Sequence, residues 1–362
     1  MSATSAVFEP AGTTAGARPA IAGWIGSRAF DLTFFTLSPL AGLGIVALAL
    51  AVGGVRGLYV QLAAFYLVAV PHYMSTYTFF LPDDTLAYYR TRRAAFFGGP
   101  IAIAALVLVL MVAGLPAIVQ SAVFLWNIWH VSMQSGGILS LYRRLNSGSP
   151  TEAAPAKYGL LGVNGAMALW NIDRYPPLAG LLTQLHPAAP RIVSLTALVV
   201  GAALLARYLL VLARRQAPMR PPERLFFATS LLLFHPYLWV RDYNLATLGM
   251  LMGHFIQYLA IVWLLHRRRY AHVTGGSTHQ RILARVSERA PLMAMVFVAS
   301  GLVFLGSNHL ASRVGLPSAY TITWFSLTFI HFYLDGLIWA FRDPFVRKAI
   351  GTYLILPTHI AT

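Results

Sequence analysis

Cysteine is absent from all 362 residues, which excludes disulfides, iron-sulfur clusters, thiolate metal ligands and cysteine nucleophiles. Any bound metal must therefore be held by nitrogen or oxygen. Charge is also scarce: only 10% of residues are charged, while 57% are hydrophobic and the mean hydropathy is +0.64. That balance excludes an ordinary water-soluble core and describes a membrane protein. Acidic residues number 11 against 27 lysines and arginines. The resulting charge of +16 does not mark a nucleic-acid binder, because the basic residues fall in short clusters between apolar runs rather than along one polar face. No fixed-period repeat and no segment resembling a soluble catalytic domain is evident.

What is present is a series of apolar stretches long enough to cross a hydrocarbon core of about 30 Å, each about 20 helical residues. They lie near 30–53, 58–81, 96–115, 117–142, 192–213, 224–240, 245–265, 290–306 and 317–341, with a weaker crossing at 158–172. Counting ten crossings with both ends inside puts 21 basic residues in cytoplasmic segments against 5 outside, Arg207 lying within a span. Omitting the weak crossing would place Arg214, Arg215, Arg220 and Arg224 outside and reverse everything after them. The expected fold is thus an all-α polytopic bundle of about ten helices in the inner (cytoplasmic) membrane, both termini cytoplasmic. Residues 1–27 are expected to form a tail without a removable signal peptide, 28–344 the membrane domain, and 345–362 a second tail. The segment 266–289, with Gly275 and Gly276, reads as a flexible cytoplasmic connector.

Five histidines, His72, His130, His235, His254 and His331, each fall in a different apolar stretch, and Asp335 follows the last by one helical turn. An ionisable side chain in hydrocarbon costs about 2.5 to 3.5 kcal/mol, so several together call for a compensating metal, cofactor or proton path. His72, His130 and His331 fall near midspan, and His235 and His254 within about two turns of it. Polar neighbours three or four residues away (Thr76, Asn127, Gln134, Gln257, Tyr258) are placed to orient the imidazoles. The expected metal ligands are His72, His130, His254 and His331, with Asp335 and His235 as further candidates. His235 has a competing role, because Pro236 frees a carbonyl that its ring can satisfy. His186, His266, His272, His279, His309 and His359 read as solvated residues of loops and tails. Trp126, Trp129, Tyr73, Tyr77, Phe332, Tyr333 and Trp339 read first as packing residues and second as the wall of an apolar substrate cavity.

Imidazoles with one carboxylate suit iron, copper, zinc or manganese, and a histidine-carboxylate iron centre with open positions activates O2. A site within the membrane receives a long apolar molecule such as a carotenoid, quinone, sterol or acyl chain. The leading expectation is a non-haem Fe(2+) oxygenase or related oxidoreductase acting on such a lipid, with O2 and a redox partner. The polytopic histidine-rich architecture and the stretch HFYLD resemble, distantly, the Brp/Blh group of bacterial membrane carotene dioxygenases. The His-Gly and Asp arrangement of that group is not found. The resemblance implies carotenoid cleavage to retinal, with His72, His130, His254 and His331 holding iron. A haem or haem-copper electron-transfer protein is the second reading, since histidines on facing helices also ligate haem. A proton-coupled or metal-ion transporter is the third.

Overall fold

The computed structural model describes residues 23–355 apart from 147–148, 216–217, 271–274 and 316, and among these residues every regular element is helical. Five helices are long and apolar enough to cross a membrane, or six if one bent pair counts as a single span. The bent pair is α1 (Arg28–Thr36) and α2 (Ser38–Val52), which meet at 42°. The others are α3 (Gly54–Phe80), α5 (Ala94–Val112), α9 (Ala189–Ala213), α12 (Tyr243–Tyr270) and α14 (Ala290–Arg313). Between and around them lie α4 (Asp83–Thr91), α6 (Pro116–Leu145), α7 (Ala153–Leu169), α8 (Pro176–Leu185), α10 (Pro221–Leu232), α11 (Pro236–Trp239), α13 (Thr278–Glu288), α15 (Pro317–Ile338) and α16, which begins at Pro344–Val346 and continues to Thr352–Ile355.

Burial separates inner from outer helices. The apolar window of α12 is 72% buried, whereas those of α5 and α9 are 11% buried and present leucine and valine outward. Helix α12 packs on α2 and α3, and α15 packs on α3, α5 and α6. Without a hydrophobic drive between helices in lipid, close backbone approach through small residues holds such contacts. A Cβ on Gly42 would lie 1.9 Å from the Gly249 carbonyl oxygen, and one on Gly301 would lie 1.7 Å from that of Tyr66, so α2 meets α12 and α14 meets α3 backbone to backbone.

Proline accounts for three of the four wide turns among the described residues, the fourth being Arg347–Gly351. The helix widens at Leu32–Thr36, Phe65–Ala69 and Ala94–Gly98, in each case two or three residues before a proline (Pro39, Pro71, Pro100). A proline has no N–H and its ring collides with the carbonyl four residues back, and a wider turn accommodates both effects. The second of these turns sits directly ahead of His72.

Several sequence expectations change. The stretch 224–240 is not one helix: it breaks at 233–235 between α10 and α11, where Pro236 cannot donate. Within the stretch 266–289 most of the described residues are helical, and 271–274 lie outside the described residues. Helix α12 runs on to Tyr270, and α13 is capped by Ser277 and buries Leu283, Ala284 and Ser287 on one face. Of the expected second tail, 345–362, residues 345–355 pack on the bundle, since Val346, Ile350 and Leu354 join the core, and 356–362 lie outside the described residues. Residues 1–22 of the expected first tail lie outside the described residues, but Ile25 is buried and its carbonyl accepts from Arg268 at 2.6 Å.

One end of the bundle is knit by polar contacts. Asp31 accepts from Ile25 N–H, Gly26 N–H and the Tyr142 hydroxyl, Arg92 pairs with Asp343 at 2.9 Å, and Arg269 pairs with Asp84. The arginines in these contacts, Arg92, Arg268 and Arg269, are all ones that the sequence count puts on one side of the membrane.

Candidate metal centre

Helices α3, α6, α12 and α15 each bring one histidine to a common point. Potential ligand atoms of His72, His130, His254 and His331 all lie within 4.8 Å of one another, and the four side chains are buried. His72 Nε2 and His331 Nε2 are 2.9 Å apart. Two nitrogens bound to one ion at about 2.1 Å would sit about 3.0 to 3.4 Å apart, so the spacing is close to what one cation requires. The bonding state of the rings points the same way. His72 Nδ1, His130 Nε2 and both nitrogens of His254 are buried without a hydrogen-bond partner among the described residues. Each orphaned buried polar atom costs about 1 to 3 kcal/mol, and a cation shared between lone pairs would satisfy several at once.

Asp335 lies beside the four rings. Its Oδ2 is 3.8 Å from His331 Nε2 and 3.9 Å from His130 Nε2, while its Oδ1 accepts from the Tyr258 hydroxyl at 2.6 Å and from Thr76 Oγ1 at 3.2 Å. Thr76 Oγ1 is also 2.7 Å from His331 Nδ1. A threonine hydroxyl has one proton; when it donates to Asp335 it accepts from His331, which places the imidazole proton on Nδ1 and leaves the Nε2 lone pair facing the other histidines. The carboxylate thus fixes a histidine tautomer through an intervening hydroxyl, while its Oδ2 faces His130 and His331.

The expected orienting partners are only partly those found. Thr76 serves His331 across the helix interface rather than His72 on its own helix. Gln257 is spent on the Phe35 carbonyl and Ser38, fastening α12 to the α1–α2 bend. Asn127 Oδ1 and both polar atoms of Gln134 have no partner among the described residues. His235 is not brought into the cluster: its Nδ1 is 2.6 Å from the Leu232 carbonyl, an acceptor freed by the helix break at Pro236. His266, expected in a loop, is buried in the last turns of α12, with Nε2 2.7 Å from Thr78 Oγ1. The run Arg267–Arg269 looks like a helix end in sequence, yet Arg268 bonds the carbonyls of Ile25 and Tyr353 and keeps that turn within the protein. His272 and His359 lie outside the described residues.

Two cavities flank the cluster. The larger, about 780 Å³, is lined at its inner end by Trp126, Trp129, His130, Phe332, Asp335 and Trp339, so several aromatics read first as packing also form a wall. The smaller, about 290 Å³, carries no charged lining residue and includes Tyr73, Phe255 and Phe332. Phe332 belongs to both walls, and its ring stacks on His130 at 4.5 Å between centroids. No family model, no curated protein and no solved structure matches this chain.

Proposed function

We propose that this chain is a multi-pass protein of the inner membrane whose histidine cluster holds a non-haem iron, and that it is an oxygenase or related oxidoreductase of a long apolar lipid. The observation that carries the reading is the convergence of four imidazoles, three of them with unpartnered nitrogens, beside a cavity large enough for a lipid chain. Ten crossings with both ends cytoplasmic fit the gathering of arginines at one end of the bundle. Helices α6 and α15 are long enough to span, at about 1.5 Å per residue, and are less apolar because their inner faces carry the site.

His72, His130, His254 and His331 would hold the ion, which when bound supplies one-electron chemistry towards O2. Asp335 offsets positive charge at the site, and Tyr258 and Thr76 hold it in place. Phe332 and Trp126 exclude water from the deep end of the large cavity. The smaller uncharged cavity suits passage of a small apolar molecule such as O2. The resemblance to Brp/Blh carotene dioxygenases favours a carotenoid-like chain cleaved oxidatively. A haem reading is weaker because its two axial nitrogens need the macrocycle between them, and four imidazoles whose ligand atoms lie within 4.8 Å of one another leave no such slot. Transport is weaker because the ionisable groups gather at one point rather than forming a path between the two faces.

Metal analysis and an absorption spectrum of detergent-purified protein test the proposal. Near-stoichiometric iron without a Soret band is expected. A Soret band, or protein that retains no metal after iron loading, overturns it. Unaltered pigments in carotenoid-producing cells would reject carotenoids as substrate and leave the iron centre standing.

A further inference from the structure

We infer that the large cavity holds a single-chain amphiphile with an anionic head group, a carboxylate or a phosphate ester, its head among Arg144, Lys157 and Arg342 and its chain running to the histidines. This rests on the iron reading for what happens at the deep end, and on the cavity itself for the rest. The lining is polarised along its length. His130, Asp335 and Phe332 lie at one end, and Arg143, Arg144, Lys157 and Arg342 at the other. Arg143 is already neutralised by Glu152 at 3.0 Å. Arg144, Lys157 and Arg342 form no salt bridge with any described residue. Asp335, the single carboxylate lining the cavity among the described residues, belongs to the histidine end.

Three cations lining one mouth repel one another and gain from a shared anion, which a hydrocarbon lacking a head group cannot supply, so the inference narrows the long apolar lipid of the proposed function to an acyl-type amphiphile in place of a carotene. Lys157 is placed by packing: its Cγ would lie 2.5 Å from a Cβ on Gly136, so its methylene stem crosses α6 at a residue with no side chain. Scale fixes which part of the ligand reaches the histidines. Fourteen residues of one continuous helix separate His130 from Arg144, about 21 Å along the axis. One leaflet's acyl chain occupies about 15 Å, half the hydrocarbon core. With the head held at the mouth, the deep portion of the chain, not the head, meets the metal centre. The volume of about 780 Å³ accommodates one such chain.

The test uses full-length protein in a non-ionic detergent, titrated with hexadecanoate, hexadecyl phosphate and hexadecanol, each brominated along the tail so that Trp126, Trp129 and Trp339 report binding by quenching. At least one anion is expected to bind about tenfold or more tightly than the alcohol, and whichever anion is tighter names the head group. The triple variant Arg144→Gln, Lys157→Gln, Arg342→Gln should bring the anions to the alcohol's affinity. Its alcohol binding and iron content should stay unchanged, showing that it is folded. Equal affinity for alcohol and anions in the natural protein, or a preference that survives in the triple variant, overturns the inference. Iron measured on the same preparations separates the two claims, since protein that prefers anions yet takes no iron sinks the iron reading alone.

Discussion

At the basic end of the bundle, Arg143, Arg215, Glu152 and Glu223 bury two positive and two negative side chains; deeper in, His72, His130, His254 and His331 bury four imidazoles beside one carboxylate. In the first group every charge has an opposite within reach: Arg143 to Glu152 at 3.0 Å, Arg215 to Glu223 at 2.8 Å, and the cross pairs at 3.7 and 3.9 Å. In the second, four ring nitrogens have no partner and the nearest acid is itself a proton acceptor. The first group is complete in net charge and serves as a clasp between α6, the start of α7 and α10. The second is left with unpartnered nitrogens that a cation could satisfy, which is what sets it apart from a closed structural network.

The two groups should therefore respond oppositely to loss of a member. Glu223→Gln leaves two buried arginines facing one carboxylate, and removing one partner of a buried pair costs about 3 to 5 kcal/mol. A large fall in melting temperature in detergent is expected, with the iron bound per folded chain unchanged. A fall equivalent to under about 1 kcal/mol would erase the contrast. His254→Phe should do the reverse. It replaces two unpartnered nitrogens with apolar surface, so the metal-free variant should be at least as stable as the metal-free natural protein. Only the natural protein should gain stability with iron, about 2.7 kcal/mol at free metal 100 times Kd. A variant that gains as much would remove His254 from the site.

Thr76→Val acts on the link between the cluster and its carboxylate. The shape is nearly kept, but His331 Nδ1 loses its acceptor and Asp335 one of its donors. Metal affinity should fall about 10- to 100-fold, read by competition with a chelator, whereas an equal-sized change at Thr78, which bonds His266, should leave it unaltered.

These residues also show what one sequence can reveal. Histidines in separate apolar stretches are conspicuous because the membrane makes each of them costly, and the four helices that carry them meet. Hydropathy marks α5 and α9 clearly because their faces meet lipid; it marks α6 and α15 poorly because buried polar residues interrupt them. Partnerships between helices are not legible. Thr76 stands one turn from His72 in sequence yet bonds His331, and nothing local distinguishes Glu152 and Glu223 from surface acids until Arg143 and Arg215 are folded against them. His235 takes the second of the two roles open to it in sequence, bonding the carbonyl freed by Pro236, whereas His266 departs from its expected loop because helix continuity there depends on tertiary bonds such as those of Arg268.

The scale of the comparison is set by a pair that belongs to neither cluster. Arg92 and Asp343 meet at 2.9 Å at the rim, where the arginine side chain is 52% exposed, so Arg92→Ala should cost under about 1 kcal/mol. Asp343 does more than pair. It caps α16 by accepting from the N–H groups of Phe345 and Val346, and the Tyr88 hydroxyl donates to it at 2.6 Å. That hydroxyl, followed by the Val346 N–H, Arg92 and the Phe345 N–H, holds its carboxyl below the usual aspartate range. A depressed carboxylate stabilises the fold above its unfolded value, about 3.9, and loses that contribution as pH falls through the lower folded value. Docking of α16 should therefore be flat from neutral pH to about 5 and weaken only in stronger acid, with Asp343→Asn removing the acid dependence. Hydrogen exchange at Ile350 and Leu354, followed against pH, measures it; a loss of protection near pH 6 would assign the switch to histidine instead.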